Sequence, residues 1–93
     1  MAILTTMTEN TLENWRKRLI FRSDHRGIKE MDLIMGKFAR ENVPNFNEAE
    51  LTSYEELLNE SDPDVYSWIT GTEQPPANLP SLEILERIKG QYE

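Results

Sequence analysis

Five stretches of this chain place large apolar residues three to four positions apart, the spacing of one helical face rather than the alternation of a strand. Leu12, Trp15 and Leu19 form the first stripe, and Met31, Ile34, Met35 and Phe38 the second. Leu51, Tyr54, Leu57 and Leu58 follow, then Val65, Trp68 and Ile69, then Leu82, Leu85 and Ile88 with Ile84 beside them. Each stripe is punctuated. Ser23-Asp24-His25 separates the first two, with Ser23 or Asp24 placed to cap the second helix, and Val43-Pro44 ends that helix because proline lacks an amide donor. Asn47 suits the cap of a third helix with Glu48 and Glu50 in its first turn. Asp62 and Pro63 suit the cap and first position of a short fourth helix ended by Gly71. Ser81 suits the cap of a fifth, closed by Gly90, after a loop containing Pro75, Pro76 and Pro80. The spacing therefore predicts helices over about 11–22, 26–41, from 47, from 62 to 70 and over 81–90. Asn10 or Thr11 would cap the first, and Ile28 and Leu33 would widen the apolar face of the second. No segment alternates like a strand. The expected fold is all-α: one compact domain of about five short helices over residues 11–93, preceded by a flexible tail at 1–10.

The chain has 93 residues and no cysteine, which excludes a disulfide framework, thiol catalysis and cysteine-ligated metal sites. Residues 1–8 carry no basic segment and no long apolar run, so neither a secretory signal nor a transit peptide is expected there. No run approaches the ~20 apolar residues that span a bilayer. These features suggest a bacterial cytoplasmic protein, or a mitochondrial matrix protein whose targeting segment has been removed.

The net charge of −7 is unevenly spread. Residues 11–41 hold eight Lys/Arg and five Asp/Glu, and residues 42–93 hold two and eleven. Such a division either orients the chain toward a charged partner or only solvates helix surfaces. Arg16-Lys17-Arg18 is basic, but an isoelectric point near 4.7 and the lack of a recognition motif argue against nucleic acid. The acid pairs Asp62/Asp64, Glu48/Glu50 and Glu55/Glu56 lack the spacing of a calcium loop, and no metal site is expected. No glycine-rich phosphate loop or dinucleotide fingerprint is present, so stable dinucleotide binding by the chain alone is not expected.

One segment stands apart: Arg26-Gly27-Ile28-Lys29-Glu30, extended by Asp32. If it opens a helix, Arg26 and Glu30 share a face four residues apart, flanking a glycine with no side chain. A bare patch between opposite charges suits docking onto a protein surface better than chemistry. Arg26 would offer a forked cation and Glu30 a carboxylate. Read from the residues alone, the pattern fits better an easy helix entry at Gly27 with an exposed Arg26–Glu30 ion pair. Asp32 falls about 200° round from its neighbour Glu30, on a rim or on an ordinary surface. His25, the single histidine, has no partners that would make it a base or a metal ligand, and reads as a polar residue at the edge of the patch. Trp15 and Trp68 fit core stripes, whereas Tyr66 falls off its stripe and suits an exposed contact. No catalytic residue is identified.

The Arg26-to-Asp32 segment, followed by Leu57-Leu58-Asn59-Glu60-Ser61-Asp62-Pro63-Asp64-Val65-Tyr66-Ser67-Trp68-Ile69, resembles the two signature blocks of the SdhE family, the succinate dehydrogenase assembly factor 2 family. The resemblance covers roughly residues 11–90. It implies a small helical, chaperone-like assembly factor, not an enzyme. Such a factor binds the flavoprotein subunit of succinate dehydrogenase, and by extension that of fumarate reductase. It promotes covalent attachment of FAD to a histidine of that subunit. On this reading Arg26, Gly27 and Glu30 contact the partner, with Asp32, His25 and Tyr66 around them, and the chain itself is a monomer. A helical adaptor unrelated to flavin, using the same patch, is the other reading.

Overall fold

The computed structural model describes residues 9–92, folded as five helices with no strand among them: α1 Glu9–Asp24, α2 Lys29–Asn42, α3 Glu48–Leu58, α4 Asp62–Thr70 and α5 Leu82–Tyr92. The all-α class and the helix number agree with the apolar periodicity. The tail expected at 1–10 lies mostly outside the described residues, but Glu9 and Asn10 belong to α1. Asn10 and Thr11 are thus helical rather than caps.

α1 packs along α2 and crosses α3, and α5 closes the bundle against α2, α3 and α4. Leu19, Met31, Met35, Leu51, Leu57, Val65 and Leu85 are fully buried at their centre. Burying such side chains contributes on the order of 1.5–3 kcal/mol each before the entropy of ordering the chain is set against it. Phe38, Phe46 and Tyr54 form an aromatic cluster with ring centroids 5.8–6.2 Å apart. Phe46 belongs to no helical stripe. It is carried inward by a 3₁₀ turn, Val43–Asn45, in which Pro44 occupies the early position where a missing amide costs nothing. The Tyr54 hydroxyl lies 2.6 Å from Ser23 Oγ, which also donates to Leu19 O at 2.8 Å. Every buried polar atom of that pair therefore has a partner.

Several helix ends differ from their sequence signals. α2 has no side-chain cap, since Ser23 and Asp24 lie inside α1 and Ile28 occupies the cap position. α3 carries the full reciprocal box: Asn47 accepts from the Glu50 amide and Glu50 accepts from the Asn47 amide, both at 2.8 Å. Ser61, not Asp62, caps α4, accepting from the Asp64 amide, and Gly71 ends it with φ +86°. Ser81 precedes α5, and its carbonyl accepts from Leu85, but its buried hydroxyl has no partner among the described residues. Gly90 does not close α5, which runs on to Tyr92. Trp68 is core as expected, while Trp15 is half-buried and donates its indole N–H to Glu55 at 2.9 Å.

Gly36 has a role not evident from its place mid-helix. A Cβ there would lie 2.1 Å from Asp24 Oδ1, so the glycine lets the last residue of α1 rest on α2. Asp24 in turn binds Arg40 at 2.6 Å.

Candidate partner-docking site

The loop between α1 and α2 is a tight turn. The His25 amide donates to Arg22 O at 3.2 Å, and Gly27 sits at φ +105°, a conformation L side chains rarely adopt. Asp32, in the first turns of α2, reaches back and accepts the Arg26 amide at 2.5 Å. The loop is thus clasped from the helix it precedes. Asp32 is half-buried and is the residue that closes the turn.

Arg26 differs most from its sequence reading. It lies before α2, not in it, so it does not share a helical face with Glu30. Its side chain is only 8% exposed and its guanidinium points inward. Nε donates to Asp62 at 2.6 Å, Nη1 to Leu58 O at 2.5 Å and Nη2 to Glu60 O at 2.8 Å. Planar guanidinium donors suit such a three-way grip. The fork satisfies carbonyls at the end of α3, which has no basic residue in its own last turn.

Glu30 is left as the free carboxylate of the motif. It is exposed in the first turn of α2 and makes no hydrogen bond or ion pair within the described residues. Beside it is a hollow of about 410 Å³ lined by Ile28, Glu30, Pro63 and Tyr66. Ile28 is 40% exposed and Tyr66 36%. Ile28 does not widen the buried face of α2 as its spacing suggested. Leu33, 61% exposed one turn after Glu30, does not either. A Cβ on Gly27 would meet nothing within 4 Å, so the bare side of the glycine faces open space, not another part of this chain.

His25 stands at the edge. Its ring stacks on exposed Phe21 with centroids 4.1 Å apart, and Nδ1 lies 2.7 Å from Phe21 O. Among the described residues no cluster of three His, Cys, Asp or Glu side chains could hold a metal ion. The fold therefore gathers Ile28, Glu30, Pro63 and Tyr66 around one hollow, with Gly27 adjoining in the chain, while His25 and Arg26 line a second hollow of about 370 Å³ with Phe21, Arg22, Glu60 and Asp62. Ile28 and Pro63 were not expected at the first hollow. Ile28 continues the 31-34-35-38 spacing, but it precedes α2 in an extended conformation, so its side chain does not follow the helical face into the core.

A family model described as the flavinator of succinate dehydrogenase matches residues 17–92. The chain belongs to this family. Among similar proteins, all named mitochondrial succinate dehydrogenase assembly factor 2, that of Schizosaccharomyces japonicus is 40% identical over 74 residues, 80% of this chain and 52% of that protein. The Arabidopsis thaliana protein is 40% identical over 79 residues, 82% and 42% of the two chains, and that of Saccharomyces cerevisiae is 46% identical over 63 residues, 68% and 39%. The chain spans about half the length of the curated relatives it matches. The family is named for assembly of succinate dehydrogenase, and the matched region contains both the Gly27–Asp32 turn and the α4 wall of the hollow. Among the described residues no helix of this family member is long and apolar enough to cross a membrane.

Proposed function

We propose that the chain docks on the flavoprotein subunit of succinate dehydrogenase and promotes covalent attachment of FAD to it, binding no FAD stably by itself. The observation that carries this reading is the exposed, unpaired Glu30 carboxylate beside an apolar hollow, next to a glycine whose bare side faces outward. An ionised carboxylate offered to a donor on a partner makes a short, charge-assisted hydrogen bond. Ile28 and Tyr66 add apolar and aromatic area around it, the usual make-up of an energetic centre. The described residues hold no cysteine nucleophile and no metal cluster. Assistance by positioning fits such an inventory: orienting reactive groups within the partner recovers several kcal/mol of barrier without a catalytic group from the helper. The chain works as a monomer wherever that subunit is assembled, the bacterial cytoplasm or the mitochondrial matrix. The related flavoprotein of fumarate reductase is a second client.

The test is complementation in cells lacking the gene, read by in-gel fluorescence of covalently bound flavin on each flavoprotein. Glu30→Ala is expected to lose the fluorescence restored by the unmodified chain while changing unfolding free energy by no more than about 0.5 kcal/mol, as for an exposed residue without partners. Full restoration by Glu30→Ala overturns the site. Normal fluorescence in the deletion strain overturns the role and favours an adaptor for another partner, to be identified by pull-down.

A further inference from the structure

The docking hollow has two walls from different parts of the chain. Ile28 and Glu30 come from the turn and first residues of α2, and Pro63 and Tyr66 from the start of α4. Each wall has a latch residue close before it in the chain. Arg26 precedes the Gly27 turn, and Asp62 precedes Pro63. Those two are joined at 2.6 Å with side chains 8% and 11% exposed, and Arg26 also holds Leu58 O and Glu60 O at the α3–α4 corner. No other ion pair among the described residues links the two walls.

We propose that Arg26 is a positioning residue, whose buried grip on Asp62 and the α3–α4 carbonyls sets the spacing of the hollow before any partner arrives. The partner arm of the argument rests on the docking reading above; the latch itself does not. Gly27 is free of side-chain constraints, so the turn that follows Arg26 has no stiffness of its own. Asp32 ties the Arg26 amide to α2, which fixes the turn to one wall. The guanidinium fixes it to the other, and Arg22 at the end of α1 holds the same α3–α4 corner through Leu58 O and Asn59. A site held in its bound shape in advance avoids the cost of ordering on binding. A guanidinium buried in this way is spent inside the protein and is not offered to a partner.

Two conservative breaks test this. In Arg26→Lys one ammonium replaces a fork that serves three acceptors, and in Asp62→Ala the fork keeps its two carbonyls while Ser61 still caps α4. The partner-free readout is backbone amide order by nuclear magnetic relaxation. In the unmodified protein Gly27, Ile28 and Glu30 should be as rigid as the helices, with order parameters of about 0.85, and in both variants they should fall toward about 0.6 while α3 and α5 are unchanged. The second readout is affinity for the purified flavoprotein subunit. If the hollow is formed in about one molecule in ten, binding weakens about tenfold. The double variant should bind no worse than the weaker single one, because both substitutions act on the same latch. Rigid Gly27–Glu30 amides in both variants overturn the proposal. So does a loss of affinity in Arg26→Lys that Asp62→Ala does not share, which would make Arg26 a direct contact. Failure of the unmodified chain to bind the flavoprotein would overturn the docking reading, while the relaxation data still decide the latch.

Discussion

Replacing Gly27 by alanine isolates the backbone contribution of the docking turn. At φ +105° the residue lies beyond the centre of the left-handed region, where an L side chain costs ~1–2 kcal/mol. The site adds no steric penalty, since a Cβ would meet nothing within 4 Å. Against the strain stands the entropy the unfolded chain loses when glycine is removed, ~0.4–1 kcal/mol. The net effect of Gly27→Ala is a destabilisation of about 1 kcal/mol, or about 4–8 °C in the melting temperature of a domain this size. Gly90 supplies the control. It too has open space at its Cβ, but it lies within α5 without a positive φ, so Gly90→Ala should stabilise by up to ~1 kcal/mol. The same chemical change thus takes opposite signs at two open sites. The assay is urea unfolding followed by circular dichroism, with D-alanine at position 27 installed by chemical ligation as a third arm. D-Alanine prefers positive φ and should restore or exceed the stability of glycine. A neutral Gly27→Ala, or D-alanine no better than L-alanine, would refute positive φ as the reason for glycine here.

Three further outcomes follow from the packing. Burial pushes the Tyr54 phenol up to about 12, more than its hydrogen bond to Ser23 lowers it. The folded pKa lies above the unfolded value near 10, so this contribution is intact below pH 10 and is lost as pH rises toward 12, a fall of about 2–3 kcal/mol. In Tyr54→Phe the same limb of a stability–pH curve should flatten, at a cost of about 1 kcal/mol at neutral pH for the lost hydrogen bond. Gly36→Ala should push the Asp24 carboxylate off α2 and break its contact with Arg40, visible as shifted side-chain resonances. Its stability should change little, because an exposed ion pair contributes at most ~1 kcal/mol and the gain in helix propensity is of similar size.

The helices were legible because burial of one face imposes a period that the residues must obey wherever they pack. Leu51-Tyr54-Leu57-Leu58 and Val65-Trp68-Ile69 are buried as their spacing requires. The Asn47 box and the Gly71 end were legible too, since their partners lie within a few residues. Ends decided by distant neighbours were not. Ser81 sits in a buried corner where its hydroxyl meets no amide, and Gly90 continues a helix held by Ile88 against the core. The candidate site divides along the same line. Exposure of Glu30 and Tyr66 follows from their places off the apolar stripes. The inward turn of Arg26 depends on acceptors at positions 58, 60 and 62, and nothing in the local pattern around Arg26 points to them.

The uneven charge of the chain acquires an internal meaning from the same contacts. Arg16 donates to Phe46 O, Arg22 to Leu58 O and Asn59, and Arg26 to Leu58 O, Glu60 O and Asp62. Three arginines of the first helix and its exit thereby finish the exposed ends of the 3₁₀ turn and α3, segments that carry no basic residue in their last turns. Their acceptors follow 30 to 37 positions later in the chain. Arg16 also pairs with Glu13 within its own helix, whereas Arg26 takes all its side-chain acceptors from residues 58 to 62. The basic half thus becomes the mortar of an acidic protein, and the docking turn is complete only once residues 58 to 62 are in place.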